Sequence, residues 1–314
     1  MRPSLSPGFA VLATGAAMAA GIYATAVLDE IVGGIVSGRG ARAAGAMLAP
    51  VRRAAQLVLQ RRAATERPDA EAWALAPALL AGLAAVGMAV VPFGPGLAVA
   101  GIDAGIVLFG AAMALVMVAV FLQGWSANSV FPVVGGYRFV AQALSYEMLH
   151  MLVLIAAALP ARSLAVGDIV ESQAHLWNVL RQPLGLPLYL VAAAGLAFWG
   201  PLRLPDAEDL AGGTSAELSG VALLLWRVAQ RAMLVAVAAM GAAAFLGGWQ
   251  GPLLPGAAWL ALKTLALVAL LVAARHLLAR VPVERFMWAC WVVLIPLALL
   301  DVFLGGAQAL WAAP

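Results

Sequence analysis

The chain has 314 residues, 64% of them hydrophobic and 11% charged, with a formal net charge of +3. Together with a mean hydropathy of +0.98, that balance excludes an ordinary soluble domain and points to a polytopic membrane protein. Its one cysteine, Cys290, excludes an internal disulfide and a Cys/His metal centre, and no soluble basic face with aromatic platforms exists to hold nucleic acid.

The first apolar run, 8–28, is longer than the core of a signal peptide and is followed by Asp29-Glu30 in place of a clean cleavage site, so it is taken as a span. Seven arginines then fall between the first two spans, at 39, 42, 52, 53, 61, 62 and 67. Among them Met47, Leu48, Val51, Leu57, Val58 and Leu59 recur at helical spacing, with Pro50 early in the segment. This predicts an amphipathic helix on the cytoplasmic interface, serving as a lipid anchor or as a lid against a partner subunit. Further apolar runs follow at 72–94, 104–124, 143–160, 183–202, 220–246, 256–279 and 286–304. Each is about long enough to cross a hydrocarbon core of roughly 30 Å as a helix, the 143–160 run being the tightest case. The expected fold is all-α: a transmembrane bundle of about eight spans plus the interfacial helix, forming one integral membrane domain over 1–314. Its parts are a first span (1–32), a basic segment (33–71) and seven further spans (72–314) that include an acidic loop at 203–219.

Charge sets the orientation. Besides the seven early arginines, Arg275, Arg280 and Arg285 fall at the junction of the last two spans, and Arg138 and Arg203 lie on the same side. Only Arg2, Arg162 and Arg181 lie opposite. The positive-inside rule puts the larger set in the cytoplasm and both termini outward.

Ionisable groups are costly in a bilayer, roughly 2.5–3.5 kcal/mol for a carboxylate at its centre, so those present are functional candidates. Glu147 and His150 lie about one turn apart on one helical face, a spacing suited to passing a proton or to holding two helices together. Arg227 and Arg231 share a face in the sixth span, with Glu147, Glu208 and Glu217 as expected anionic partners. Lys263 lies near the outer end of the seventh span, within snorkelling reach of the interface. Asp103 and Asp301 lie near span ends, and Asp29 and Glu30 close the first span, solvated or paired with the arginine-rich segment. The 203–219 loop carries Asp206, Glu208, Asp209 and Glu217 without a lysine. Mutual repulsion in so compact a loop favours proton uptake.

Several stretches then resemble one family. They are Gly124-Trp125-Ser126, Gly136-Tyr137-Arg138, the run Ala141 to Glu147, Asp168-Ile169-Val170 with Ser172 to Asn178, and Leu204 to Glu208 with Glu217 to Gly220. Gly247 to Pro252, Ala261 to Thr264, and Arg275, Arg280, Glu284, Met287 and Pro296 follow at matching spacing. From about residue 72 onward the chain resembles the H subunit of bacterial NADH–quinone oxidoreductase, the homologue of mitochondrial complex I core membrane subunit 1. The resemblance implies eight spans with both termini outward, between a peripheral redox arm and a proton-pumping membrane arm. It implies a shared quinone chamber at the cytoplasmic face, with Arg227, Gln230, Arg231, Arg275, Arg280 and Glu284 as chamber or coupling residues. A carboxylate funnel is implied at Glu147, Asp206, Glu208, Asp209 and Glu217, with no catalytic redox centre and no metal in this chain. NADH, FMN and iron–sulfur clusters would sit on partner subunits, and quinone and membrane lipid would be the molecules met here.

The departures are specific. Ala26 and Val27 stand where the family has a Glu-Arg pair, Arg53 replaces an Asp, Gln56 a Lys, Gln230 a Glu in the sixth span, and Val292 a Lys in the last. Most surround the entrance where quinone and the peripheral arm meet. The altered first span and Arg53 favour an alternative: an adaptor in a complex I-like or membrane-bound hydrogenase-type ion-pumping assembly without a working quinone site. A scaffold without proton traffic is a third reading, supported by Gln230.

Overall fold

The computed structural model describes residues 7–38, 43–61, 63–207 and 211–311. Every regular element among them is helical. Eight helical stretches are long and apolar enough to cross a membrane, which bears out the expected all-α transmembrane bundle.

The first span, α1 (Pro7–Val36), runs 30 residues, about 45 Å at 1.5 Å per residue. It continues past Asp29 and Glu30, where the apolar run has stopped, and beyond the expected span end at 32, because both acids find cationic partners. Asp29 accepts from Arg275 at 3.3 Å and meets His276 at 2.8 Å, while Glu30 pairs with Arg53. The basic segment forms α2 (Ala43–Leu59), with Pro50 inside it. Its side chains at Ala46, Ala49, Pro50, Ala54 and Leu57 are half-buried, whereas Met47, Leu48, Val51, Val58 and Leu59 are exposed. An apolar face turned outward is what an interfacial helix requires.

The second span is α3 (Ala70–Ala89), started by Asp69, whose carboxylate accepts from the Ala72 amide. The third is divided at Leu115 into α4 (Gly105–Ala114) and α5 (Val116–Ser126). The fourth, α6 (Val130–Ala158), begins 13 residues before the expected run at 143. Gly135, Gly136 and Arg138 lower the local hydropathy, but they are packing residues. A Cβ at Gly135 would lie 2.5 Å from the Thr214 amide nitrogen, so only glycine lets the Gly213–Thr214 backbone rest there. Two short helices, α7 (Val166–Glu171) and α8 (Asn178–Arg181), cap the opposite end.

The fifth span, α9 (Gly185–Leu196), ends in an irregular turn where Phe198 and Gly200 take positive φ of 38° and 64°. Gln142 holds that turn, its buried amide donating to the carbonyls of Gly195 and Leu202. The sixth, α10 (Gly220–Phe245), is the hub and packs against α1, α2, α3, α9 and α11 (Gly256–Leu277). From Ala232 to Phe245 it is buried on every side and rich in alanine, which lets neighbouring backbones approach closely.

The eighth span combines α12 (Val283–Ala289), a π-helical stretch at Cys290–Leu294, and α13 (Ile295–Trp311). Pro296 lacks a backbone N–H, and the widened turn just before it lets the helix continue.

Candidate functional site

The arginine-rich end of the bundle encloses a cavity of about 380 Å³. Its wall comes from α1 (Asp29), α2 (Arg53), the turn after α9 (Phe198, Trp199, Gly200, Arg203), the following loop (Asp206, Ala207), α10 (Arg227, Gln230, Arg231) and the region of α11 and its exit (Arg275, Arg280). Six arginines thus converge on one space. The cause is local: α9 unwinds early, so its last residues turn back as a floor instead of extending the helix.

Five of the six chamber or coupling residues expected from sequence line this cavity. Gln230 is buried and donates to the Phe198 carbonyl at 3.2 Å. Arg275 stacks over the Trp199 ring, 4.5 Å from its centroid, while reaching Asp29. Stacking and ion pairing together fix the guanidinium plane. Arg231 has no ion pair among the described residues, and its Nε has no hydrogen-bond partner. The sixth residue, Glu284, is exposed on the first turn of α12 and does not line the cavity.

The expected carboxylates divide. Asp206 lines the cavity, and its Oδ1 accepts from Thr214 Oγ1 and Trp226 Nε1, each at 3.0 Å. Glu217 lies apart from the lining and accepts from Ser129 Oγ at 3.0 Å. Glu147 is half-buried, deep in α6, with no hydrogen bond or ion pair among the described residues. Glu208 and Asp209 lie outside the described residues. The anion sharing the cavity with Arg227 and Arg231 is therefore Asp29 together with Asp206, and neither Glu147 nor Glu217 lines it.

Two other expectations resolve differently. His150 does not meet Glu147; it is buried between the rings of Phe109 and Tyr189, with centroids 5.8 and 5.7 Å away. Lys263 does not snorkel to open solvent. It is 6% exposed, donates to the carbonyls of Gly248 and Gln250 at 3.0 and 2.6 Å, and sits 4.3 Å from the Trp177 ring centroid. The 172–178 and 247–252 motifs are braces for this end. Gln173 Nε2 donates to Ile169 and Ala243 carbonyls while its Oε1 accepts from the Asn178 and Gly247 amides.

Sequence reasoning missed Asp29, Arg203 and the aromatic pair Phe198–Trp199 as lining residues. Asp29 looked like a span-end acid because the apolar run stops before it. The positive φ at Phe198 leaves no sequence signal beyond Gly200. Among the described residues no cluster of His, Cys, Asp and Glu could hold a metal ion.

Comparison with known proteins follows the same line. A family model described as NADH dehydrogenase matches residues 9–306. The NADH-quinone oxidoreductase H subunit 1 of Rhodopseudomonas palustris (strain HaA2) is 36% identical over 239 residues, 76% of this chain and 75% of that protein. The protein of the same description from strain BisB5 is 36% identical over the same shares.

Proposed function

The chain belongs to the NADH dehydrogenase family, and from that premise we propose that it is the membrane subunit of a complex I-type NADH–quinone oxidoreductase whose quinone chamber is the arginine-lined cavity. The observation that carries this is the convergence of six arginines with Phe198 and Trp199 around one space. A quinone ring has two carbonyl acceptors and two flat faces. Guanidinium N–H groups suit the acceptors, and aromatic side chains suit the faces. Reduction takes two electrons and two protons to the quinol. Negative charge develops on the oxygens before the protons arrive, and fixed cations stabilise it.

In this reading Asp206 is the first carboxylate beside the reacting ring, and Glu208, Asp209, Glu217 and Glu147 are the further acids of the funnel. Charge in the chamber shifts their protonation, and the change reaches antiporter-like partner subunits as proton movement. Electrons come from an iron–sulfur cluster on a partner arm that also carries NADH and FMN. The whole chain acts as one integral domain of a bacterial inner membrane, with the arginine-rich end cytoplasmic and both termini outward, in keeping with the positive-inside rule.

The second reading, an adaptor of a complex I-like or hydrogenase-type assembly without quinone chemistry, draws on two contacts. Gln230, an amide that cannot titrate, is tied to the Phe198 carbonyl, and Arg53 is engaged by Glu30 at the cavity edge. Purifying the native complex and identifying its subunits separates the two. An NADH-oxidising arm supports the first reading, and a nickel–iron subunit overturns it.

A further inference from the structure

At the end of the bundle away from the arginine-lined cavity, α6 and α13 pack together and leave an open groove of about 700 Å³ between their last turns. Small residues are the cause: Ala158 of α6 and Gly306 and Ala309 of α13 line the groove without filling it. A Cβ at Gly306 would meet nothing within 4 Å, whereas one at Gly305 would collide with the Gln182 amide. Apolar walls come from Ile155, Leu159 and Leu310, the last of them 80% exposed.

One charged residue lines this groove. Arg162 follows the short turn that ends the fourth span, and it is exposed. Its Nη2 donates to the Ala309 carbonyl at 2.6 Å, so the side chain reaches across to the end of α13. It has no ion pair and no other side-chain hydrogen bond among the described residues. The acid nearest to it in sequence, Asp168, accepts from Ser163 and lines a separate hollow with Asp103 and Glu171. Trp311 closes α13 and is 92% exposed. An exposed tryptophan at the end of a span marks the headgroup level of a bilayer.

The occupant must therefore bring an apolar part for the walls and an anion for Arg162, at the depth where bilayer tails meet headgroups. A phospholipid carries both in one molecule. Its tail fits the apolar slot, and its phosphate oxygens meet the free N–H groups of the guanidinium. A headgroup of net negative charge suits the groove better than a zwitterionic one, whose ammonium finds no acid in the lining.

We propose that the groove between α6 and α13 binds an anionic phospholipid, with a tail along the apolar walls and the phosphate on Arg162. The lipid bridges the ends of the fourth and eighth spans. The site stands whether or not the arginine-lined cavity receives quinone.

The test reconstitutes the purified native complex in vesicles containing phosphatidylglycerol with a photoactivatable diazirine tail, and in parallel phosphatidylethanolamine with the same tail. Modified peptides of this subunit are then mapped. The expected result is labelling within 155–164 and 306–310 that is about fivefold stronger with phosphatidylglycerol, the preference that one arginine gives at an anionic lipid surface. Arg162→Gln should make the two lipids label alike. Gly306→Phe puts a ring into the open slot and should remove the label of both. Equal labelling in the wild type, or a preference that survives Arg162→Gln, overturns the proposal, because the groove then meets only bulk bilayer. Absence of label from both segments also overturns it and gives the groove to a partner helix. Should Arg162→Gln not assemble, Gly306→Phe decides: a phosphatidylglycerol preference lost at these segments supports the site, and one that is kept overturns it.

Discussion

Asp29 should be the anion on which the arginine-rich end depends. Its carboxylate meets Arg275 at 3.3 Å and His276 at 2.8 Å, and is about 10% exposed. Unit charges at 3.3 Å attract by about 5 kcal/mol at an effective dielectric of about 20. Desolvation and the partial exposure of Arg275 offset part of this, so Asp29→Asn should cost about 3 kcal/mol, at the low end for a broken buried pair. That is roughly a 150-fold change in the folded-to-unfolded ratio. The perturbation should act on the join between α1 and α11, since Asp29 is a contact between them. The assay is a titration of the purified subunit from mild into denaturing detergent, followed by tryptophan fluorescence, on Asp29→Asn, Arg275→Gln and the double variant. The double-variant cycle should return a coupling of about 2 kcal/mol. Additive effects within about 0.5 kcal/mol, or an Asp29→Asn variant as stable as the wild type, would refute the reasoning.

Four further outcomes follow from other contacts. Gln142→Ala frees the Gly195 and Leu202 carbonyls; it should destabilise the turn after α9 by about 2 kcal/mol, seen as faster amide exchange across 196–203. Lys263→Met leaves the Gly248 and Gln250 carbonyls without their charged donor; a cost of about 2 kcal/mol should open the 247–255 loop to protease while the arginine-rich end stays protected. Gly135→Ala puts a Cβ 2.5 Å from the Thr214 amide, so the Gly213–Thr214 backbone must shift, at a cost of about 1–3 kcal/mol, and quinone reductase activity should fall. Equal activity in that variant would show the loop is not part of the site. Asp206→Ala leaves Trp226 Nε1 and Thr214 Oγ1 without their acceptor and should lower stability by about 1–3 kcal/mol, whereas Asp206→Asn should keep the fold because its amide oxygen still accepts.

How much of this was legible beforehand depended on the kind of signal. Spans were legible because bilayer thickness forces length and hydropathy together, and all eight are found. Their ends were not. At α6 the polar Gly135–Arg138 stretch looked like loop, although Arg138 is used to hold the 211–212 carbonyls. At α1 the acids looked terminal, although Asp29 and Glu30 are answered by residues far away in sequence. Such pairings are tertiary facts, and periodicity along one helix carries no trace of them. The same gap explains the site. The arginines of α10 and α11 could be singled out by their cost in a membrane, but the floor they face exists only because α9 unwinds at Phe198. His150 shows the opposite failure, since its spacing from Glu147 suggested a pair while the helix rotates it into an aromatic core. Asp301 was visible as an acid near a span end, and only packing shows that it is buried.

The claim that the arginine-lined cavity receives quinone is tested most directly by photolabelling the purified native complex with an azidoquinone and mapping the modified peptides of this subunit. The account predicts labels within 198–207 and 227–231, competed away by unlabelled quinone and reduced in Arg231→Ala. A complex that reduces quinone while its labels fall only on other subunits, or only on the lipid-facing side of this one, would contradict it.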